Sequence, residues 1–206
     1  MSAETDKSME IKILETAERL FLEKGLSLTS TTEIAKAVGC NQALVHYYFR
    51  TKDKLFEAVF QKKIFVFITS FMKIDGENLS FEEKVRHKIE AHFDMLMENQ
   101  QLPFLFLNEL ITNPSRIKMI KENFGPLPSL VYSQFETELD AEIQKGTVRP
   151  IAVIDIILSV FSLNIGVFLV KPVMKEVLAM EEKAFTAFAR KRREENVQMI
   201  LMSLKP

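Results

Sequence analysis

A face of hydrogen-bonding and aromatic side chains lies within residues 42–49 of the 206-residue chain. At about 100° per residue on a helix, Gln42, His46 and Tyr47 fall on one side. Ala43 shares that side, and Leu44 lies at its flank. Glutamine can pair bidentately with adenine in the major groove, and apolar side chains can contact the thymine methyl group. Histidine and tyrosine can donate hydrogen bonds to phosphate oxygens. This combination predicts a surface that contacts duplex DNA.

Further hydrogen-bond donors lie at two predicted helix N-termini. Thr31 and Thr32 begin one helical run, where hydroxyls and free backbone amides can bind phosphate together. Lys52 follows Thr51, an N-cap for the next helix, so its ammonium and the helix dipole can hold one phosphate. The predicted DNA-contacting residues are therefore Thr31, Thr32, Gln42, Ala43, Leu44, His46, Tyr47 and Lys52.

Two short helices joined by a tight turn are predicted to position these side chains. The first run, Thr31–Val38, can be capped by the hydroxyl of Ser30 or of its own first residue. Gly39 ends this run, because glycine readily adopts the left-handed conformation of a helix stop. Asn41 is a good N-cap for the second run, Gln42–Phe49. The pattern is typical of a helix-turn-helix motif.

The sequence TTEIAKAVG, followed by NQALVHYYF and RTKDKLF, resembles the DNA-binding signature of the tetracycline-repressor (TetR) family of bacterial regulators. The matching residues are Ile34, Ala35, Gly39, Tyr47, Tyr48, Phe49, Lys52 and Leu55. Ala43 stands where glycine is frequent in the family, Leu44 where threonine is frequent, and His46 where a phosphate-binding tyrosine is frequent. These departures do not change the predicted fold, but they affect which bases the second helix is expected to prefer. The close match covers roughly the first quarter of the chain.

The fold class predicted for the whole chain is all-α. A three-helix helix-turn-helix DNA-binding head is expected over residues 1–52, and a larger helical ligand-binding and dimerisation domain over residues 53–206. The first helix is predicted at Ser8–Lys24, and Leu26 and Leu28 are expected to anchor the connection that follows it. A long helix is predicted from Lys52 to about Lys73. Because no glycine or proline separates it from the head, it is expected to act as a lever.

Two strongly apolar helices are predicted near the C-terminus. Ile151–Val170 is about long enough to span a bilayer, but Asp155 and Asn164 within it argue against lipid exposure. Glu181–Leu204 carries a second apolar stripe. The pair predicts a homodimer with a four-helix interface, and the family resemblance implies the same arrangement. A two-fold protein would read a palindromic DNA operator. The alternative for the apolar segment is an integral membrane protein, but no membrane partner is predicted.

The C-terminal region is rich in phenylalanine and methionine, which can enclose an apolar small molecule. The resemblance implies an inducer pocket here for an unidentified apolar effector. The candidate lining residues are Phe67, Phe71, His92, Phe93, Phe104, Asn108, Tyr132, Phe135, Phe161 and Asn164. Effector binding is expected to tilt the long helix from Lys52 and so to change the affinity for the operator.

Charge and cysteine content bound the remaining possibilities. The net charge is −1, and residues 1–52 contain seven basic and seven acidic side chains, so tight DNA binding is expected only from a dimer. The single cysteine, Cys40, rules out an internal disulfide and fits a reducing cytoplasm.

His87 and His92 lie about 140° apart around a helix, so they do not share a face.

No nucleophile–base pair, metal-ligand cluster or glycine-rich phosphate loop is present in the sequence. No catalytic residue, metal or cofactor is therefore predicted, and the chain is interpreted as a non-enzyme. The predicted function is that of a ligand-responsive, cytoplasmic, DNA-binding transcriptional regulator, acting as a repressor. The alternative is a small-molecule-binding or interaction protein that has lost DNA binding, because the predicted recognition helix carries neither lysine nor arginine.

Overall fold

The computed structural model describes residues 3–70 and 79–206, and all regular secondary structure in this part of the chain is helical. The helices are α1 (Ala3–Leu28), α2 (Thr31–Val38), α3 (Gln42–Phe49), α4 (Lys52–Ser70), α5 (Phe81–Glu98), α6 (Leu102–Thr112), α7 (Ser115–Phe124), α8 (Leu127–Gln144), α9 (Val153–Leu169), α10 (Lys171–Val177) and α11 (Glu182–Leu204). The all-α prediction is confirmed.

Helix α1 is interrupted at Gly25, whose φ of 80° and ψ of 167° are not helical. The regular part of the helix therefore ends at Lys24, as the sequence predicts. The buried Thr29 hydroxyl donates to the backbone oxygens of Leu20 and Gly25, at 3.2 and 2.9 Å, and ties the end of the helix to the connection. Leu28 is 78% exposed, so the expectation that it anchors the connection is wrong.

The first compact unit comprises Met1–Phe65 and the second Val66–Pro206. The boundary lies within α4, later than the predicted division after residue 52. The first part of α4 belongs to the head because Phe56 packs edge-on against Phe21 of α1, with ring centroids 5.2 Å apart. Lys63 also pairs with Glu18 of α1. The assignment of one function to each unit stays a prediction.

The first unit buries the apolar faces of its four helices in a common core. This core consists of Ile13, Ala17, Leu20 and Phe21 of α1, Ile34 and Ala35 of α2, Val45 of α3, and Leu55, Phe56, Val59, Phe60 and Ile64 of α4. Complete burial of such side chains stabilises a fold by about 1.5–3 kcal/mol each. This core therefore holds α2 and α3 at a fixed mutual angle.

The second unit is organised around α5, α9 and α11, which contact one another. Together with α8 and the segment that follows it, these helices form a buried cluster. It contains Val85, Ile89, Leu139, Val148, Val153, Ile156, Val160, Val197, Ile200, Leu201 and Leu204. Ser80 and Glu83 form a capping box at the start of α5. The short helix α10 was not expected from the sequence. Pro172 lies in its first turn, where the missing N–H has no helical partner to lose.

The stretch Val153–Val177 is long and apolar enough to cross a membrane by length and composition alone. Within the fold, 33% of its most apolar window is buried against other parts of the chain. Asn164 lies in this stretch with no exposed surface and hydrogen-bonds to α5 and α11. A helix with such polar contacts packs as a core element of the second unit.

Candidate nucleic-acid interface

Local capping contacts shape the α2–turn–α3 segment. The Ser30 hydroxyl accepts a hydrogen bond from the Glu33 amide at 3.1 Å, and Asn41 Oδ1 accepts one from the Leu44 amide at 2.8 Å. Gly39 ends α2 in the left-handed conformation, with φ 80° and ψ 32°. A side chain in that conformation would strain the backbone, which explains the glycine. The predicted helix-turn-helix motif is confirmed.

Helix α3 buries one side and exposes the other. Val45 is 1% exposed, and Tyr48 and Phe49 are half-buried. The opposite side consists of exposed Gln42, Ala43, His46 and Tyr47, with half-buried Leu44 at its flank. Tyr47 is the most prominent of the rings, with 61% of its surface exposed. The division of α3 into an inner and an outer side is therefore the one that the helical period predicts.

The Gln42 amide is held by side chains of both helices. Its Nε2 donates to Thr31 Oγ1 at 3.0 Å and lies 3.3 Å from His46 Nε2. Its Oε1 accepts a hydrogen bond from the Thr32 hydroxyl at 3.1 Å. The Thr32 hydroxyl hydrogen is thus engaged inside the protein, whereas the Thr31 hydroxyl accepts from Gln42 and keeps its own hydrogen for a phosphate. The two threonines therefore differ in their ability to donate to a phosphate, although the sequence predicts the same role for both.

Lys52 has an internal partner in addition to its predicted phosphate. Its Nζ donates to the Leu26 backbone oxygen at 2.9 Å and so joins the start of α4 to the segment after Gly25. An ammonium has three hydrogens, so this bond leaves donors for a phosphate. The Lys52 side chain consequently combines a structural contact with a candidate DNA contact. Thr51 caps the N-terminus of α4, because its Oγ1 accepts a hydrogen bond from the Lys54 amide at 3.1 Å.

Arg50, outside the predicted contact set, ends α3 in a strained conformation. Its φ is 60° and its ψ is −52°, and the Thr51 amide donates to the Phe49 oxygen across it at 2.6 Å. These values describe a γ-turn with positive φ, which is rare for a residue with a side chain. Strain of this kind clusters at functional sites. The exposed guanidinium at the end of the outer face makes Arg50 a further candidate phosphate contact.

Ion pairs offset much of the negative charge of the first unit. Glu18 pairs with Lys62 and Lys63, and Glu23 pairs with Arg19. Glu33 of α2 pairs with Lys24, whose hydrogen bond holds the pKa of this carboxyl below its usual value. Among the described residues of the first unit, Lys12, Lys36, Arg50 and Lys52 make no ion pair. Arg50 and Lys52 directly follow α3 in the chain, so two cations lie at the end of this helix although acids and bases are equal in number.

Cys40 lies in the turn between α2 and α3 as a free cysteine. Burial raises the pKa of its thiol, which lowers the fraction of reactive thiolate. A redox role for this residue gains no support from its surroundings.

The predicted pocket residues of the second unit do not form one group. His92, Phe161 and Asn164 lie together: the His92 and Phe161 ring centroids are 5.3 Å apart, and Asn164 Nδ2 lies 3.2 Å from His92 Nδ1. Phe93 instead contacts Phe168, with ring centroids 5.4 Å apart. Burial lowers the pKa of His92 to about 3, so its imidazole is neutral at physiological pH.

The other predicted pocket residues lie elsewhere or outside the description. Half-buried Tyr132 and Phe135 of α8 pack against the buried cluster, and Phe135 stacks on Phe81. Phe104 is 71% exposed on α6, and Asn108 of the same helix is also exposed. Phe71 lies outside the described residues, and the side chain of Phe67 is likewise not described. The predicted pocket residues that the structure describes are therefore spread over α5, α6, α8 and α9, and the effector site stays a prediction.

Comparison with known proteins shows what the head is similar to. The family model for bacterial regulatory proteins of the tetR family matches residues 13–59. The probable HTH-type transcriptional regulator YttP of Bacillus subtilis is 28% identical over 116 residues, or 55% of this chain and 56% of the relative. The HTH-type transcriptional regulator AcrR of Shigella flexneri is 41% identical over 49 residues, or 24% of this chain and 23% of the relative. The chain thus matches at most about half the length of these curated relatives.

The similarity of fold extends over the whole chain. The crystal structure of a bacterial regulatory protein in the tetR family from Rhodococcus RHA1 has a TM-score of 0.73 and 17% sequence identity. The comparison covers 100% of this chain and 98% of that one. At this identity the likeness concerns the fold, which has a helix-turn-helix head followed by a larger helical unit.

Proposed function

We propose that this chain, a member of the TetR family of transcriptional regulators, binds a palindromic DNA operator as a homodimer and represses transcription until a small molecule binds. The observation that carries the proposal is the exposed outer face of α3, which consists of Gln42, Ala43, His46 and Tyr47. This face has hydrogen-bonding and apolar groups suited to base edges, and Val45 on the opposite side fixes the helix to the core.

The groups around α3 suit phosphate contacts on either side of a major groove. Thr31 and the free amides at the start of α2 lie beside Gln42, and Tyr47 exposes its phenol. Arg50 and Lys52 add positive charge at the junction of α3 and α4. Because these contacts are few, each head alone is expected to bind weakly, and tight binding needs two heads on adjacent half-sites.

An exposed apolar stripe on α9 supports the homodimer. Ile154, Leu158 and Leu169 are 47, 54 and 37% exposed and recur on one side of the helix. Met199 and Met202 of α11 are 51 and 66% exposed. The stripe on α9 and these methionines supply the apolar surface of a four-helix interface in which each chain contributes α9 and α11.

The effector is proposed to bind in the second unit, against half-buried aromatic side chains. Tyr132 and Phe135 combine partial exposure with packing against the buried cluster, which suits an apolar ligand with few polar groups. A ligand changes operator affinity only by the difference between its affinities for two conformations of the protein. Helix α4 joins the two units covalently and is the proposed route of this coupling.

Fluorescence anisotropy with the DNA upstream of the chain's own gene tests DNA binding by the full-length protein. Tyr47→Ala and Lys52→Ala should weaken binding to all sequences, and Lys52→Ala, which removes a cation, should also lower the slope of log affinity against log salt by about one. Gln42→Ala should instead relax base choice at one position of each half-site. Lys118→Ala, which removes an exposed cation of the second unit, is the matched control.

The same assay separates the proposal from its alternative. A protein that has lost DNA binding would bind no sequence from a randomised pool above background, whatever ligand is added. A repressor releases its operator when the effector binds, and a promoter–reporter fusion then distinguishes repression from activation. An effector that binds the second unit without changing operator affinity would contradict the proposed switch.

A further inference from the structure

The orientation of the Gln42 side-chain amide is determined by a chain of hydrogen bonds that ends at the backbone of Arg50. His46 Nδ1 lies 2.9 Å from the Arg50 carbonyl oxygen. A carbonyl oxygen can only accept, so Nδ1 must carry the proton of the neutral imidazole. The other ring nitrogen, Nε2, is then an acceptor. It lies 3.3 Å from Gln42 Nε2, which is the donor end of the amide.

The two threonines of α2 reinforce this orientation. Gln42 Nε2 donates its second hydrogen to Thr31 Oγ1 at 3.0 Å, and Gln42 Oε1 accepts from the Thr32 hydroxyl at 3.1 Å. The threonine hydroxyls can rotate and would serve either orientation of the amide. His46 cannot do so, because its tautomer is set by the Arg50 carbonyl. His46 is therefore the residue that selects one orientation of Gln42.

The selected orientation limits what Gln42 can offer to a base. Both Nε2 hydrogens are directed at protein acceptors, whereas Oε1 has two lone pairs and uses one of them for Thr32. The remaining lone pair is an acceptor. In the major groove, adenine N6 and cytosine N4 are donors, whereas guanine O6 and N7 and thymine O4 are acceptors.

We infer that Gln42 reads a base with an exocyclic amino group, adenine or cytosine, through Oε1 alone, and that His46 is the positioning residue that sets this preference. The inference rests on the proposed function, since it concerns the same DNA interface. It differs from the bidentate pairing with adenine expected of a free glutamine, which needs an Nε2 hydrogen that this arrangement does not release. His46 thereby acts on base choice through Gln42 rather than by touching the base.

The test uses the full-length protein and a randomised operator pool, followed by anisotropy on every single-base variant of the selected operator. The base pair read by Gln42 is the one at which Gln42→Ala loses discrimination. On the strand that Gln42 contacts, the wild-type protein should favour adenine and cytosine over guanine and thymine by roughly tenfold. It should therefore accept an A·T and a C·G pair in one strand order and reject both pairs when the strands are exchanged. His46→Phe keeps a ring but removes the acceptor that orients the amide. It should reduce this preference to about threefold or less at that base pair only.

Two further variants separate orientation from general binding. Gln42→Glu has acceptors and no donors, so it should bind more weakly overall and still favour adenine and cytosine, whereas bidentate adenine reading would be lost. Tyr47→Phe, which removes a neighbouring phosphate donor, should lower affinity equally at every base pair. Circular dichroism of each variant establishes that the helices are intact.

The outcomes are distinguishable. A wild-type protein that accepts adenine but not cytosine on that strand, or that accepts both base pairs in either strand order, would overturn the inference while leaving the proposed function in place. The same holds if His46→Phe weakens all operators equally, as a simple phosphate contact would. Failure of the wild-type protein to enrich any sequence would overturn the proposed function, and this inference with it.

Discussion

Asn164 of α9 and Asn196 of α11 form a hydrogen bond between two completely buried side chains. Asn196 Nδ2 donates to Asn164 Oδ1 at 3.0 Å, and both residues are 0% exposed. Asn164 Nδ2 in turn donates to the Ile89 oxygen of α5 at 3.0 Å. The contact therefore joins the three central helices of the second unit. Buried polar groups are costly unless paired, so this pair fixes the register of α5, α9 and α11.

The first prediction concerns this pair. Asn164→Leu should lower the free energy of unfolding by about 2–4 kcal/mol. It removes the acceptor of one Asn196 Nδ2 hydrogen and the side-chain donor to the Ile89 oxygen, while Asn196 keeps its bond to the Leu163 oxygen. Urea unfolding followed by circular dichroism measures the change. Asn108→Leu, on the exposed face of α6, is the control and should have little effect. Asn164→Leu combined with Asn196→Leu should cost less than the sum of the single changes, and strict additivity would contradict the coupling.

A second prediction follows from the burial of His92, which lowers its pKa from 6.5 to about 3. The unfolded chain binds a proton at this residue below about pH 6.5, whereas the folded chain does so only below about pH 3. Stability should therefore fall as the pH drops through this window, by at most about 1.4 kcal/mol per pH unit from this residue. Urea unfolding between pH 7 and roughly pH 5 measures the slope.

His92→Gln provides the comparison for that pH dependence. The variant is expected to be less stable at pH 7, because it disturbs the contacts with Asn164 and Phe161. Its stability should nevertheless depend less on pH between about 6.5 and 5, since the other histidines are unchanged. Carboxyl groups with lowered pKa, such as Glu83 at the start of α5, matter only below their usual value of 4.5. Equal slopes for the two proteins would show that His92 is not the cause.

A third prediction uses the positive φ of Arg50. Arg50→Gly should raise the stability of the protein by about 1 kcal/mol net, because glycine relieves the strain of this turn at some cost in unfolded-chain entropy. Arg50→Ala keeps the strain and should bring no such gain. Thermal unfolding compares the two variants. If the guanidinium contacts phosphate, both should lose operator affinity to the same extent, and a loss confined to one of them would point to the backbone instead.

The fourth prediction concerns the apolar stripe on α9. Leu158→Glu places a charge in the proposed interface and should convert the dimer to a monomer in analytical ultracentrifugation, with a parallel loss of operator affinity. Leu130→Glu is the matched control, since Leu130 of α8 is also exposed, by 61%, but lies away from the stripe. A Leu158→Glu protein that sediments like the wild type would exclude this face from the interface.

Much of the fold could be predicted because its signals are local. Ser30, Gly39 and Asn41 act on backbone groups within a few residues, and the apolar period of α3 separates Val45 from the outer face. Helix α11 begins within one residue of its predicted start for the same reason. The short helix α10 escaped prediction, because a proline in its first turn looks like a stop signal when its surroundings are unknown.

By itself, the sequence determined the helical architecture, the helix-turn-helix motif and the outer face of α3. Only the tertiary structure decided that Thr29 rather than Leu28 secures the end of α1. It also decided that Lys52 binds the Leu26 oxygen. The contacts of Gln42 with Thr31, Thr32 and His46 likewise depend on the tertiary structure. It also separated Phe104 from His92 and Asn164. These contacts join residues on different elements or depend on exact side-chain directions. Periodicity specifies which side of a helix a residue occupies, but packing decides which atoms meet there.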